Sequence, residues 1–488
     1  MEGKNNFWRN IILFLPLLFY VMGINPFLSP SSYDDVTYWE GANSLFYHHN
    51  YMINEEPIID WPPGTSLLFS LPLLFGLKSF VWVKIVVVIC VFFSALLAWK
   101  LLEKEKFPHA YISVFFFLLL PSSFLWGTRA MSEWPFTLWS LLFLFLLDKL
   151  RKSFLWMLLA ALVLLMAIIT RYVGFALYFV LVFQAFKNTS WRGVFKTREF
   201  FTGLIALVVF ASTWMVRTMS LQGQTLETSA YARGLSNFED VRFLEVFHMI
   251  PKLFLGTIIY EHLPVTAALL CDFIVVFMLV WGWITLVRRR GWNPIDIYML
   301  VTLVLVASWA NGKCHRYLIP TAPFLLSYLF FGSEIVMKRF FSSVVYLRLR
   351  NSILVSAALF LIFLNSIILF YGNGISYGAA FYFLNHSPEK FYKGYWKELY
   401  EACLVIKNQN IPGKILLENT GDYRYVYFFT RHKVLLKEEN EPPVFILVKK
   451  GDVEHNKENG LKSNYEKIKI PQNFQLLWDG QYVTVYQK

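Results

Sequence analysis

The sequence predicts a mainly α fold: a polytopic membrane helical bundle of about eleven spans plus interfacial helices, ending in a small α/β domain. Three observations carry this reading. Apolar runs of membrane-crossing length recur as far as residue 371, the loops between them alternate between basic and acidic, and the last stretch of chain turns polar and Lys-rich.

Composition sets the class. Of the 488 residues, 56% are hydrophobic and 16% charged, where soluble domains run at about 45–50% and about 25%. Mean hydropathy is +0.47. Disorder, collagen, coiled coil and miniature disulfide scaffolds are excluded. A formal net charge of +12 would suggest nucleic acid in a soluble protein. Here the basic residues fall in short clusters between apolar runs, so topology explains them and no nucleic-acid partner is expected. The four cysteines are scattered singly, giving neither a metal knuckle nor a disulfide framework.

A span needs about 20 apolar residues to cross about 30 Å. Such runs lie at 8–24, 79–101, 108–126, 132–148, 153–169, 172–187, 200–219, 264–287, 295–310, 316–333 and 352–371. Gly64–Phe75 follows two prolines, is too short to cross, and reads as a helix at the interface. Alternate loops carry Lys100/Lys104/Lys106, Lys149/Arg151/Lys152, Lys187/Arg192/Lys196/Arg198, Arg288/Arg289/Arg290 and Lys338/Arg339/Arg348/Arg350, which the positive-inside bias makes cytoplasmic. The opposite loops hold Asp34, Asp35, Glu40, Glu55, Glu56 and Asp60, then Glu227, Glu239 and Asp240. The N-terminus, basic at Lys4 and Arg9 with no small-residue cleavage site behind it, reads as cytoplasmic and retained.

The expected organisation is a transmembrane catalytic domain over 1–372 with outer loops at 25–78 and 217–263, set in the inner (plasma) membrane. An extracytoplasmic α/β domain follows over 373–488. Its expected elements are a helix at Lys393–Gln409, strands at Lys414–Leu417, Val434–Lys437, Val444–Val448 and Ile468–Ile470, and a hairpin across Gln475–Tyr486 turned at Asp479-Gly480.

Ionisable residues at the outer ends of spans are the informative ones, because charge is expensive there. The first outer loop opens with Asp34, Asp35 and Tyr38. Adjacent carboxylates attract a cation, and one so placed serves as a general base toward a hydroxyl. Asp34 equally fits a helix cap, with Asp35 in the positive first turn. Asp60 precedes Trp61-Pro62-Pro63, whose rigid backbone holds it at the water–lipid boundary, for a metal or phosphate-linked role or as a plain loop terminator. Ser132 and Glu133, after Arg129, fit either a capping box or a site acid. Arg171, beside Tyr172, and Arg316, beside His315, stand where positive charge is least expected; guanidinium suits phosphate oxygens. The chain has no P-loop and no GxGxxG after a strand, so nothing is built to hold a nucleotide.

Taken together, the acidic pair in a long first outer loop, the Pro-Pro before an interfacial helix and the acid opening a later outer-facing helix resemble the GT-C glycosyltransferases. The sequence is more closely similar to the family 39-like group, which includes protein O-mannosyltransferases and the bacterial aminoarabinose transferase of lipid A. The run His315-Arg316-Tyr317-Leu318-Ile319-Pro320 and the stretch from Asp422 to Phe429 are similar to bacterial members. The resemblance implies a GT-C-like bundle that moves a sugar, with inversion, from a polyprenyl-phosphate donor to a hydroxyl of a lipid, glycan or protein acceptor. It implies Asp34 or Asp35 as catalytic carboxylate, Asp60 with Asp35 near a metal, and Tyr38, Arg129, Glu133, Arg171, Tyr172, His315 and Arg316 as substrate contacts. A divalent cation (Mg or Mn) is the one cofactor it admits. Two departures matter: Trp61 stands where aminoarabinose-type enzymes have Lys, and Thr37-Tyr38 where they have Arg-Tyr. Phosphate contact then shifts to Arg129, Arg171 or Arg316.

Two other functions fit such a layout. A transporter or flippase of a lipid-linked or anionic substrate would carry ionisable residues near mid-membrane in two related halves, and here the charges sit at helix ends and the halves do not match. A polysaccharide polymerase or ligase of similar helical build is the other.

Overall fold

The computed structural model describes residues 14–26, 33–222, 243–308, 315–371, 392, 394–411, 413–417, 423–435, 443–449, 474–479 and 483–488. The expected strand Ile468–Ile470, the start of the first span, Asp422, Gly480 of the hairpin turn, and Glu227, Glu239 and Asp240 lie outside these residues. In chain order the helices are α1 (Leu17–Met22), α2 (Tyr33–His48), α3 (Gly64–Leu74), α4 (Val81–Lys104), α5 (Ala110–Leu119), α6 (Pro121–Gly127), α7 (Glu133–Leu146), α8 (Phe154–Thr170), α9 (Ala176–Asn188), α10 (Arg198–Phe210), α11 (Val216–Gln222), α12 (Phe243–Leu255), α13 (Thr257–Tyr260), α14 (Val265–Arg290), α15 (Pro294–Ala307), α16 (Ala322–Phe340), α17 (Ser343–Tyr371), α18 (Gly394–Asn408) and α19 (Tyr423–Thr430). The chain divides into two compact units, one of Met1–Met22, Ile59–Leu68 and Lys84–Ser366, the other of Gly23–Ile58, Phe69–Val83 and Ile367–Lys488.

The first unit is helical. Val81–Lys104, Arg198–Leu221, Val265–Arg290, His315–Phe340 and Ser343–Phe370 are long and apolar enough to cross a membrane, and six shorter apolar helices accompany them among the described residues. Two expected runs are broken. The run 108–126 bends by 59° between α5 and α6, because Pro121 at the start of α6 forces Leu120 out of the helical region, to φ −56°, ψ 130°. The run 172–187 begins with a 3₁₀ turn, Tyr172–Phe175, before α9.

Local sequence also accounts for the joint between α14 and α15. Gly291 leaves α14 at φ 76°, which a side chain would disfavour. Asn293 then caps α15 reciprocally with Asp296, and Pro294 occupies the first turn, where no N–H is missed. Arg290 donates to both oxygens of the fully buried Asp296 at 3.0 Å. Higher up, α14 and α16 cross backbone to backbone. A Cβ on Gly282 would meet Tyr328 O at 2.1 Å, and one on Gly332 would meet Met278 O at 1.9 Å. Only glycine on both helices permits that approach, and it fixes the helix whose leading 3₁₀ turn, His315–Thr321, carries Arg316.

The second unit contains α2, a short hairpin of β1 (Met52–Ile53) and β2 (Glu56–Pro57), and the C-terminal α/β part. There β3 (Ile415–Leu417), β4 (Val434–Leu435), β5 (Phe445–Lys449), β6 (Gln475–Asp479) and β7 (Val483–Gln487) form a sheet of order β4-β3-β5-β7-β6. Strand β3 runs parallel to β4 and β5, while β7 pairs antiparallel with β5 and β6. The core follows from two periodicities. Leu399, Ala402, Cys403 and Ile406 share one face of α18, and the alternating Ile415/Leu417, Phe445/Leu447 and Val483/Val485 meet it. The intervening Leu416, Leu435 and Ile446 bury the opposite face. The expected strands at Lys414–Leu417, Val434–Lys437 and Val444–Val448 thus have counterparts within one or two residues of their read positions, and the two arms of Gln475–Tyr486 pair antiparallel.

Candidate functional site

Helix ends of the first unit bring four charged side chains together around α7. Glu133 opens α7 and is 1% exposed. Ser132 holds the capping position without making a side-chain cap bond. Its hydroxyl instead accepts from Arg171 Nη1 at 2.9 Å, and the same nitrogen donates to Glu133 Oε1 at 2.7 Å. Arg171 can reach because it ends α8 in an extended conformation, φ −152°, ψ 135°, which turns its side chain away from the helix axis. Arg316 Nε stands 3.3 Å from the same carboxylate oxygen. Of the capping-box reading, therefore, the side-chain bond is not made; Glu133 is instead the anion that Arg171 and Arg316 share.

Aromatic faces hold the guanidiniums in place. Arg129 and Arg316 each lie 4.8 Å from the Trp126 ring centre, and Arg171 lies 4.4 Å from that of Tyr317. Arg171 and Arg316 retain side-chain exposures of only 14% and 15%. Stacking on a ring leaves the edge of a guanidinium, where its N–H donors are, open to an in-plane anion. Glu133 Oε2 has no hydrogen-bond partner among the described residues.

Asp60 and Tyr172 belong to the same neighbourhood. Asp60 is close enough to Tyr172 for its charge to act on the phenol, and Trp214 Nε1 donates to Tyr172 Oη at 2.5 Å. Gly64 makes this possible: a Cβ there would meet Ile169 C and Thr170 N at 2.7 Å, so the start of α3 rests on the backbone just before Arg171. Trp214 lies in a π-helical turn, Ala211–Met215, between α10 and α11, a feature enriched at functional sites.

Asp34, Asp35 and Tyr38 lie in the second unit, on α2. Both carboxylates are inside its first turn rather than at the capping position. Asp35 is fully buried and accepts from Val36 N at 3.0 Å, whereas Asp34 keeps partial exposure. Tyr38 packs edge-on against Phe69. Among the described residues no three His, Cys, Asp or Glu side chains gather as a metal-ligand set.

Several residues of the site escaped sequence reasoning. Lys252, on α12, donates to Glu261 at 2.5 Å, and both are near enough to act on His315. Tyr260 donates to Asp272 at 2.8 Å, and His248 Nδ1 bonds the same carboxylate. Asp272 had a signal, a lone carboxylate in the apolar run 264–287. Trp126, Trp214 and Lys252 had none.

No family model and no curated protein matches the sequence. Solved structures do match. The chain is similar to ArnT from Cupriavidus metallidurans bound to undecaprenyl phosphate, with a TM-score of 0.62 and 13% identity over 98% of this chain and 97% of that one. It matches the apo state of the same protein at 0.58, again with 13% identity, over 99% and 98%. It also matches the archaeal oligosaccharyltransferase AglB from Archaeoglobus fulgidus, in complex with an inhibitory peptide and a dolichol-phosphate, at 0.52 and 12% identity over 91% of this chain and 70% of that one. At 12–13% identity these matches show a shared fold over nearly the whole of this chain.

Proposed function

We propose that the protein is an integral-membrane glycosyltransferase that moves a sugar from a polyprenyl-phosphate donor to an acceptor hydroxyl on the extracytoplasmic face, with inversion. It sits in the inner (plasma) membrane with its N-terminus cytoplasmic and its C-terminal domain outside. The observation that carries the reading is the gathering of Arg129, Arg171 and Arg316 from three separate helix ends around Glu133 and two aromatic rings. Support comes from the fold shared with structures that hold undecaprenyl phosphate and dolichol-phosphate.

The chemistry is assigned as follows. The acceptor hydroxyl loses its proton to Asp34, the more exposed of the acidic pair, and its oxygen attacks the anomeric carbon. The bond from that carbon to the phosphate oxygen breaks on the opposite face, which inverts the centre. Negative charge grows on the departing polyprenyl phosphate, and preorganised guanidiniums stabilise it without reorienting. Asp35, already bonded to the α2 backbone, holds its neighbour in position. A divalent cation, were one bound, would supply further neutralisation of the phosphate.

The test uses the full chain in liposomes with a polyprenyl-phosphate sugar. Released polyprenyl phosphate is the expected product, and Asp34→Asn is expected to lower its rate by about 10²–10⁴-fold while the protein still folds. Vesicle uptake without cleavage would identify a transporter instead, and an undiminished rate in Asp34→Asn would remove the base.

A further inference from the structure

The second unit holds a cavity that the chemistry above does not use. It measures about 480 Å³ and lies between the C-terminal half of α2, the β1–β2 hairpin and the end of α19, within the range of small-ligand sites. Glu40, only 5% exposed, lines it. Its Oε2 accepts from Arg431 Nη1 at 2.5 Å, while its Oε1 has no hydrogen-bond partner among the described residues. A buried carboxylate oxygen without a donor is costly, and the residue that carries it lines a space large enough for a ligand.

The cavity walls are built at a conformational cost. Seven non-glycine residues among those described have positive φ, and three of them, Asn54, Glu55 and Arg431, line the cavity. Arg431 at φ 64° ends α19, its N–H returning to Tyr427 O at 2.8 Å, a position where glycine is usual. That turn carries the guanidinium back to Glu40. Asn54 and Glu55 form the two-residue loop of the hairpin, both left-handed as that loop requires. Asn54 then locks it, trading two hydrogen bonds with the Val434 backbone at 2.9 and 2.8 Å.

We propose that this cavity binds a neutral, hydroxyl-rich sugar ring belonging to the acceptor. The proposal rests on the transferase reading and names the class of its acceptor. Charge decides between ligand types. Glu40 is balanced by Arg431, and Glu55 by Lys433 at 3.5 Å, so the walls favour neither an anion nor a cation. Polarity and shape supply the rest. The Glu40 carboxylate is an acceptor, Arg431 and the side-chain amide of Asn50 offer donors, Asn43 keeps a second N–H beside the one it gives to Trp39 O at 3.1 Å, and the half-exposed Tyr47 ring offers a flat apolar face. Adjacent hydroxyls of a sugar need acceptors and donors side by side, and the carbon face of its ring needs an aromatic surface. Tyr427, whose phenol is held protonated by burial and by the charge of Glu40, adds a hydroxyl donor.

The experiment measures binding apart from turnover. Full-length protein, in a detergent without a sugar head group, is titrated with mannose, galactose, N-acetylglucosamine, glucosamine and inorganic phosphate, read by saturation-transfer NMR for the sugars and by competition for phosphate. A neutral sugar is expected to bind, with affinity falling about tenfold in Glu40→Gln and in the surface variant Tyr47→Ala, and unaltered in Glu133→Gln. Absence of binding by every neutral sugar, equal binding in all variants, or preference for glucosamine or phosphate would overturn the proposal. Donor cleavage is assayed separately, so a failed transferase reading leaves the binding result intact, and failed binding leaves donor cleavage standing.

Discussion

Two buried glutamates, each paired with arginine, stand in opposite electrostatic surroundings. Glu133 in the first unit stands between Arg171 and Arg316, both largely out of water, with aromatic rings behind them. Glu40 in the second unit meets one arginine, and Arg431 is half exposed. The first arrangement gathers positive charge and limits the water that could screen it. The second cancels charge and keeps a cavity at its side. Phosphate recognition needs the former and recognition of a neutral sugar the latter, so the count of guanidiniums per carboxylate separates the two surroundings better than burial does.

That contrast can be broken most directly by kinetics. Removal of one preorganised charge-stabilising donor typically costs about 10²–10³-fold, so Arg171→Met and Arg316→Met should each lower kcat for donor cleavage by that order. Arg171→Lys should recover only part of it, because an ammonium lacks the planar fork. Arg431→Met should instead express its loss in KM for the acceptor. A kcat loss in Arg431→Met as large as in Arg171→Met would mean the two centres are not functionally distinct.

Stability should rank the same way. Glu133→Ala leaves two buried guanidiniums facing each other and should destabilise the protein by about 3–5 kcal/mol. Glu40→Ala frees an arginine already in contact with water and should cost about 1–3 kcal/mol. Thermal unfolding of both variants in one detergent compares them, and equal losses would remove the distinction drawn from exposure.

The smallest effect is one of pH. Burial raises the Glu40 carboxyl above its ordinary value of 4.5, with Arg431 only partly opposing the rise. A glutamate whose folded value is raised favours folding when protonated. Its contribution is whole below the ordinary value and is lost as pH climbs through the raised one. Glu40→Gln should flatten the fall in unfolding temperature over that window. An unchanged slope would show that the guanidinium, and not burial, governs this carboxyl.

Much of the molecule could be read from local pattern. The apolar helices, the helix at Gly394–Asn408 and the antiparallel pairing after Phe474 all rest on periodicity over a few residues. Span lengths were less legible. Pro121 and the 3₁₀ turn after Arg171 interrupt runs whose hydropathy is continuous, because hydropathy reports what a segment is soluble in and not whether its hydrogen-bond ladder is unbroken. Arg171 and Arg316 stood out as charges on the wrong side, yet the partner they find is Glu133, and no spacing rule links three helix ends so far apart in the chain.

Sequence alone determined the class of fold, since the cost of exposing apolar runs to water and of burying unpaired charge depends on composition and order. It also singled out the acids and arginines that such a fold must accommodate. Only tertiary structure decided which of them meet. Gly64 against the end of α8, and Gly282 against Gly332, allow backbones to touch, and those crossings set where Asp60, Arg171 and Arg316 arrive. Distances of a few ångströms between residues far apart in the chain are fixed by packing, which has no local signature.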